Sequence, residues 1–238
     1  MSTILTNISR IKQNILEAAS INNFGEKATL VAVSKGHSFD LIIEAFNAGI
    51  INFGENYLQE ALDKKLHLER FAIQWHFLGP IQSNKCRLIA ENFDWVHSAD
   101  RIKVIKLLND FRPSNASPLN ICIQINSSGE DTKSGIAIND AQSQLTDLIM
   151  ALKELPKLKL RGIMSLPSNT EDIEQVINEF KSMHMLYVEL KNQFDTVDTL
   201  SMGMSNDFKL AIEYGSNLVR IGTAIFGARE IKAKGGNN

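Results

Sequence analysis

Eight short, strongly apolar runs alternate along this 238-residue chain with stretches whose apolar residues recur at helical spacing. The pattern predicts strands at 30–34, 51–53, 75–78, 95–97, 120–125, 159–164, 199–201 and 218–221. It predicts a helix at 4–19, then one in each gap, at 40–47, 57–68, 84–91, 100–110, 140–152, 171–191 and 206–214. Asp40, Asp100 and Asp140 stand where helix caps or first-turn anions belong. Strands that are apolar on both faces and joined by helices read as parallel βαβ units. Eight units in this length fit a single (β/α)8 TIM barrel with an extra N-terminal helix; an open, doubly wound sheet is the structural alternative. The barrel occupies 1–230 as one domain, and the Lys/Gly/Asn-rich residues 231–238 read as a flexible tail.

A formal net charge of -2 gives no electrostatic reason to bind nucleic acid or an anionic membrane. The opening residues lack the apolar core of a signal peptide, and no apolar run is long enough to span a bilayer. Cys86 and Cys122 stand alone, without zinc-type spacing, so the expected compartment is the cytosol with both thiols reduced.

In such a barrel, function sits at the C-terminal ends of the strands. Lys35 ends the first run, just before Gly36. It reads either as a solvated rim lysine or as a partly desolvated amine able to form a Schiff base with a carbonyl. The seventh and eighth strands end in Ser201-Met202-Gly203-Met204-Ser205 and Arg220-Ile221-Gly222-Thr223. Gly203 and Gly222 would let backbone N–H groups approach an anion, with hydroxyls offered by Ser205 and Thr223; alternatively, Ser205 is only a helix cap and Gly222 only a turn. Arg220, at the end of a buried strand, needs an acceptor, either a carboxylate or a ligand atom. Glu55, His76 and His97 are candidate acid–base groups that read more simply as structural or rim residues.

A Schiff-base lysine, a phosphate cup and a buried donor together fit pyridoxal 5'-phosphate. The sequence resembles the pyridoxal phosphate homeostasis proteins, single-domain relatives of the alanine racemase N-terminal barrel. The resemblance runs from about residue 29 to 229 through Val31-Ala32-Val33-Ser34-Lys35, Phe53-Gly54-Glu55-Asn56, Trp75-His76-Phe77-Leu78-Gly79, Gln82-Ser83-Asn84-Lys85 and Gly162-Ile163-Met164. It is most specific in Leu200 to Ser205 and Val219 to Arg229. It implies Lys35 as the aldimine lysine, Arg220 facing the pyridine nitrogen, and Ser205, Gly222 and Thr223 around the phosphate. It also implies a pocket lined by Asn56, Met202 and Gly203.

The implied role is vitamin B6 homeostasis without turnover, in a cytoplasmic monomer whose partners include pyridoxal-phosphate-dependent apo-enzymes. A weak amino-acid racemase and a sugar-phosphate aldolase are the alternatives. Two departures touch the rim: Gly36-His37-Ser38 replaces the family's Thr-Lys-Pro, and Pro80 stands where histidine is usual.

Overall fold

The computed structural model describes residues 3–22, 24, 27–130, 134–138 and 141–228. In chain order the elements are α1 (Thr3–Ile21), β1 (Thr29–Val33), α2 (Phe39–Asn47), β2 (Asn52–Glu55), α3 (Leu58–Leu68) and β3 (Gln74–Phe77). A 3-10 turn (Ser83–Lys85) leads into α4 (Cys86–Asn92), followed by β4 (Trp95–Ala99), α5 (Ile102–Phe111), β5 (Leu119–Asn126), β6 (Ile136–Ala137) and α6 (Ala141–Lys153). The last third comprises β7 (Leu158–Ser165), α7 (Ile173–Gln193), β8 (Thr199–Ser201), α8 (Phe208–Glu213), β9 (Leu218–Ile221) and α9 (Thr223–Phe226).

Eight of these strands close into a parallel barrel in the order β1, β2, β3, β4, β5, β7, β8, β9. The first and last strands pair from Thr29↔Leu218 to Ala32↔Ile221, which closes the sheet and removes the open-sheet alternative. The short β6 pairs only at the end of β5, through Ile125↔Ile136 and Asn126↔Ala137. Strands such as β4 and β9 are buried at every position, as expected where side chains meet the barrel interior on one face and helices on the other. The N-terminal helix α1 buries Ile4, Ile8, Ile11, Ile15 and Ala18 against the outer layer, on α2, α8 and α9. The Asn7 side-chain amide also donates to the Ile225 carbonyl (2.9 Å), which ties α1 to the segment after the last strand.

The structure departs from the sequence pattern in several places. The second strand runs through Gly54 and Glu55 rather than starting at Ile51, because its pairing with β3 continues to Glu55↔Phe77. The first strand ends at Val33, so Ser34 and Lys35 already belong to the loop. Asp100 is neither cap nor first-turn anion: α5 starts at Ile102, and Asp100 instead takes the Arg101 Nε–H (2.8 Å). A side-chain cap does form at Asp172, whose carboxylate accepts from the Glu174 and Gln175 N–H groups. Asp140, Arg229 and the tail at 231–238 lie outside the described residues.

Candidate functional site

The register brings most of the predicted site residues to one mouth. Beyond the strand ends, the Ser34 N–H donates to the Gly54 carbonyl (3.0 Å) and the Leu78 N–H to the Glu55 carbonyl (2.8 Å). Lys35 and Asn56 therefore leave adjacent strands side by side, and both are half-buried. On the other flank Gly222 lies against the end of β1, where an added Cβ would sit 3.0 Å from the Val33 carbonyl oxygen. Gly79 is equally constrained: a Cβ there would sit 2.1 Å from the Asn56 carbonyl oxygen, so only glycine lets the β3 loop pass Asn56. The departure at Pro80 follows on the exposed rim, while His37 packs its ring on Phe226 (5.1 Å).

The segments after β8 and β9 are joined. The Arg220 N–H donates to the Gly203 carbonyl (3.0 Å), and Ser205 Oγ accepts from the Ala224 N–H (3.5 Å). Gly203 has φ +95°, and a Cβ on it would meet Ala211 of α8 at 2.6 Å, so glycine is required there twice over. Ser205 does not cap the next helix. Asp207 holds that position, and its Oδ1 accepts from the Met204 N–H (2.5 Å), leaving Ser205 to face the segment after β9. Thr223 is exposed at the start of α9, whose first N–H groups lack intrahelical acceptors. Met202 is placed differently, fully buried in the main core, with its carbonyl accepting from Ser216 Oγ (2.7 Å).

Arg220 has no carboxylate partner among the described residues. Its guanidinium donates to Ser201 Oγ (2.5 Å) and to the Ser165 carbonyl (2.8 Å). From there a chain of side chains crosses the barrel interior. His97 Nδ1 lies 3.0 Å from Ser201 Oγ, His76 Nδ1 lies 2.9 Å from His97 Nε2, and Asn52 Oδ1 lies 3.1 Å from His76 Nε2. With both imidazoles neutral, one proton arrangement satisfies every link. The Asn52 oxygen can only accept and the guanidinium can only donate. So Ser201 donates to His97, His97 Nε2–H donates to His76, and His76 Nε2–H donates to Asn52.

Burial of both rings favours this neutral state. Burial lowers His76 to about 3. Burial, aided by the neighbouring His76 and by the positive charge of Arg220, also holds His97 well below the usual histidine range. Burial pulls Arg220 down to about 10, opposed by Asp207, so it remains a cation at neutral pH.

This arrangement sets an acid limit on stability. An unfolded chain protonates these histidines below pH ~6.5, whereas folded His76 resists until about 3. Between those values the unfolded state binds more protons, so stability falls as pH falls, by up to about 1.4 kcal/mol per pH unit per histidine. Urea melts from pH 6.5 to 5 should show a falling midpoint, and His76→Asn should have a shallower slope from a lower starting stability.

Sequence reasoning placed Glu55, His76 and His97 as structural or rim residues; all three are buried. The signal available was that His76 and His97 occupy neighbouring strands, where one imidazole can reach the next. Two cavities, of about 330 and 350 Å³, open at the opposite end of the barrel; Lys35, Arg220 and Ser205 line neither. Among the described residues, no cluster of three His, Cys, Asp or Glu side chains is arranged to hold a metal ion. Among the same residues, no helix is long and apolar enough to cross a membrane.

The model for the alanine racemase N-terminal domain matches residues 6–230. The pyridoxal phosphate homeostasis protein of Vibrio alginolyticus is 47% identical over 235 residues, covering 97% of this chain and 99% of that protein. Its counterpart in Escherichia coli (strain K12) is 44% identical over 238 residues, covering 98% and 100%. The structure of PipY from Synechococcus elongatus PCC7942 with PLP bound superposes with a TM-score of 0.80 at 30% identity, covering 94% of this chain and 100% of that one. With identity of this order along nearly its whole length, the chain belongs to the pyridoxal phosphate homeostasis protein family, built on the alanine racemase N-terminal barrel.

Proposed function

We propose that this protein binds pyridoxal 5'-phosphate at the C-terminal mouth of the barrel and holds it covalently on Lys35, as a carrier in vitamin B6 homeostasis rather than a turnover enzyme. The observation that carries the reading is the state of Arg220: a buried cation held, among the described residues, by a hydroxyl and a carbonyl, with donors left for a further acceptor. The buried Ser165 hydroxyl has no hydrogen-bond partner among the described residues and belongs to the residue whose carbonyl takes the Arg220 guanidinium. An unsatisfied polar atom there fits a polar ring arriving beside it. The relatives' names and the PLP-bound PipY structure support the same ligand.

In this reading Ser205, Gly222 and Thr223 surround the phosphate, Asn56 and Gly203 line the pocket, and Arg220 faces the ring nitrogen. Met202 lines it through backbone only. When bound, the cofactor supplies an electrophilic aldehyde and an electron-withdrawing ring. Arg220 donates to the ring nitrogen without giving up a proton, which weakens that withdrawal. No second acid–base group presents itself in the chain of buried histidines. Both imidazoles are neutral and both nitrogens of each are engaged, which disfavours the racemase alternative.

The reading extends to one domain over 1–230, a cytosolic monomer, and pyridoxal-phosphate-dependent apo-enzymes as recipients. The buried, unpaired Cys86 and Cys122 thiols suit a reducing compartment.

The test is titration of purified protein with pyridoxal 5'-phosphate, followed by its visible absorbance. A saturable shifted band is expected; unchanged absorbance would exclude the reading. Ser205→Ala and Thr223→Val should each cost about 1.5–3 kcal/mol of binding, the worth of a hydrogen bond to a charged group. Their folding cost should be smaller, since Ser205 makes only a 3.5 Å contact and Thr223 is exposed. Calorimetric titration beside thermal melts checks this, and unchanged affinity with a lowered melting point would make both residues structural.

A further inference from the structure

We propose that the cluster of buried Lys64 and Glu55 with half-buried Glu60 is the device that orients Lys35 for covalent capture of the aldehyde. These three are positioning residues, and the inference rests on the reading that Lys35 forms the covalent bond. In that step the Lys35 amine adds to the aldehyde carbonyl, water leaves, and a C=N bond remains.

The geometry brackets Lys35 on both sides. Lys64, from the middle of α3, spends all three ammonium protons. It donates to the Ser34 carbonyl (2.7 Å), to Glu55 Oε1 (2.7 Å) and to Glu60 Oε1 (2.6 Å). Glu55 Oε1 also accepts from Ser34 Oγ (2.7 Å), and Glu60 Oε1 accepts from the Gly36 N–H (2.6 Å). The carbonyl before Lys35 and the N–H after it are thus tied to one ammonium–carboxylate cluster. Each tie fixes a planar peptide unit, and the two planes together fix the direction of the Lys35 Cα–Cβ bond. Gly36, at φ +76°, turns the chain away at once, so the side chain alone is left to reach into the mouth.

The cluster is an expensive way to hold a loop. Lys64 is 5% exposed and Glu55 fully buried, and Glu55 Oε2 has no hydrogen-bond partner among the described residues. Burial raises the pKa of Glu55 against the opposing pull of Lys64. Buried ion pairs of this kind contribute little net stability, and a well-packed apolar core would hold the loop as firmly. What the charges add is direction. Three ammonium protons and three acceptor groups leave the flanking peptides one orientation, which is what a bond-forming amine requires.

The experiment uses full-length protein with two probes. Pyridoxal 5'-phosphate reports covalent capture, while pyridoxine 5'-phosphate has the same ring and phosphate but no aldehyde, and so reports the cup alone. Glu60 lies in the first turn of α3 and is half-buried, so Glu60→Ala removes the tie to Gly36 with little packing loss. Glu60→Gln retains an oxygen for that N–H, and Ser34→Ala removes a different tie.

Glu60→Ala should weaken pyridoxal 5'-phosphate capture about tenfold or more, the equivalent of one hydrogen bond to a charged group. Its affinity for pyridoxine 5'-phosphate should stay within about twofold of wild type. Glu60→Gln should recover most of the loss, and Ser34→Ala should show the same split between probes. Unchanged capture by Glu60→Ala and Ser34→Ala would overturn the proposal, as would equal losses for both probes, the mark of a structural role. Borohydride trapping on the wild-type protein reads the underlying assignment separately: a reduced adduct on another lysine overturns the Lys35 reading and this inference with it.

Discussion

Lys35→Ala is expected to lose the shifted visible absorbance of the cofactor complex entirely while folding as the wild type does. Lys35 stands one residue beyond β1 and is half-buried, so truncating it removes an amine without opening a core cavity. The change in unfolding free energy should be about 1 kcal/mol, since the half-buried side chain gives up its own contacts but opens no cavity. The phosphate cup and Arg220 remain, so the variant should still bind pyridoxine 5'-phosphate. Absorbance titrations beside urea melts check all three statements. A variant that keeps the band would assign the covalent bond to another lysine.

Arg220→Glu should have the second large effect, in the opposite direction for chemistry. A carboxylate facing the ring nitrogen favours its protonation and strengthens electron withdrawal. Deuterium incorporation at the α-carbon of alanine in heavy water should then rise about tenfold or more above wild type, some 1.4 kcal/mol in barrier. Wild type should exchange no faster than free pyridoxal 5'-phosphate.

The substitution has a structural cost. Ser201 Oγ and the Ser165 carbonyl lose their donor, and a buried charge is reversed beside His97, so about 3–5 kcal/mol of stability should be lost. Arg220→Gln separates the effects, since it removes the cation without supplying a carboxylate. It should be destabilised yet show no gain in exchange; a gain there would detach the chemistry from the ring nitrogen.

The barrel was legible because its strands are apolar on both faces and its connections carry helical periodicity, and those two signals agree from β1 to β9. The short β6 and α9 were not legible, since two and four residues are too few for a period to register. The strand ends that bear Lys35, Asn56, Arg220, Gly222 and Thr223 could be read from the places where apolar runs give way to polar and glycine residues. The support behind them could not. Glu55, Lys64, His76 and His97 are polar residues at interior positions, and only the register reveals the partners that make their burial tolerable. Cup and cap both stayed open for Ser205 because a serine before a helical stretch looks the same whether it faces that helix or a neighbouring loop. The likeness to a known family carried the ligand, which spacing alone left open.

The most direct measurement is borohydride reduction of the protein loaded with pyridoxal 5'-phosphate, followed by proteolysis and mapping of the modified peptide. The account predicts one dominant stable adduct, on the peptide containing Lys35, and its absence from Lys35→Ala. A dominant adduct on Lys85 or Lys64 in the wild-type protein, or an undiminished adduct yield in Lys35→Ala, would contradict it.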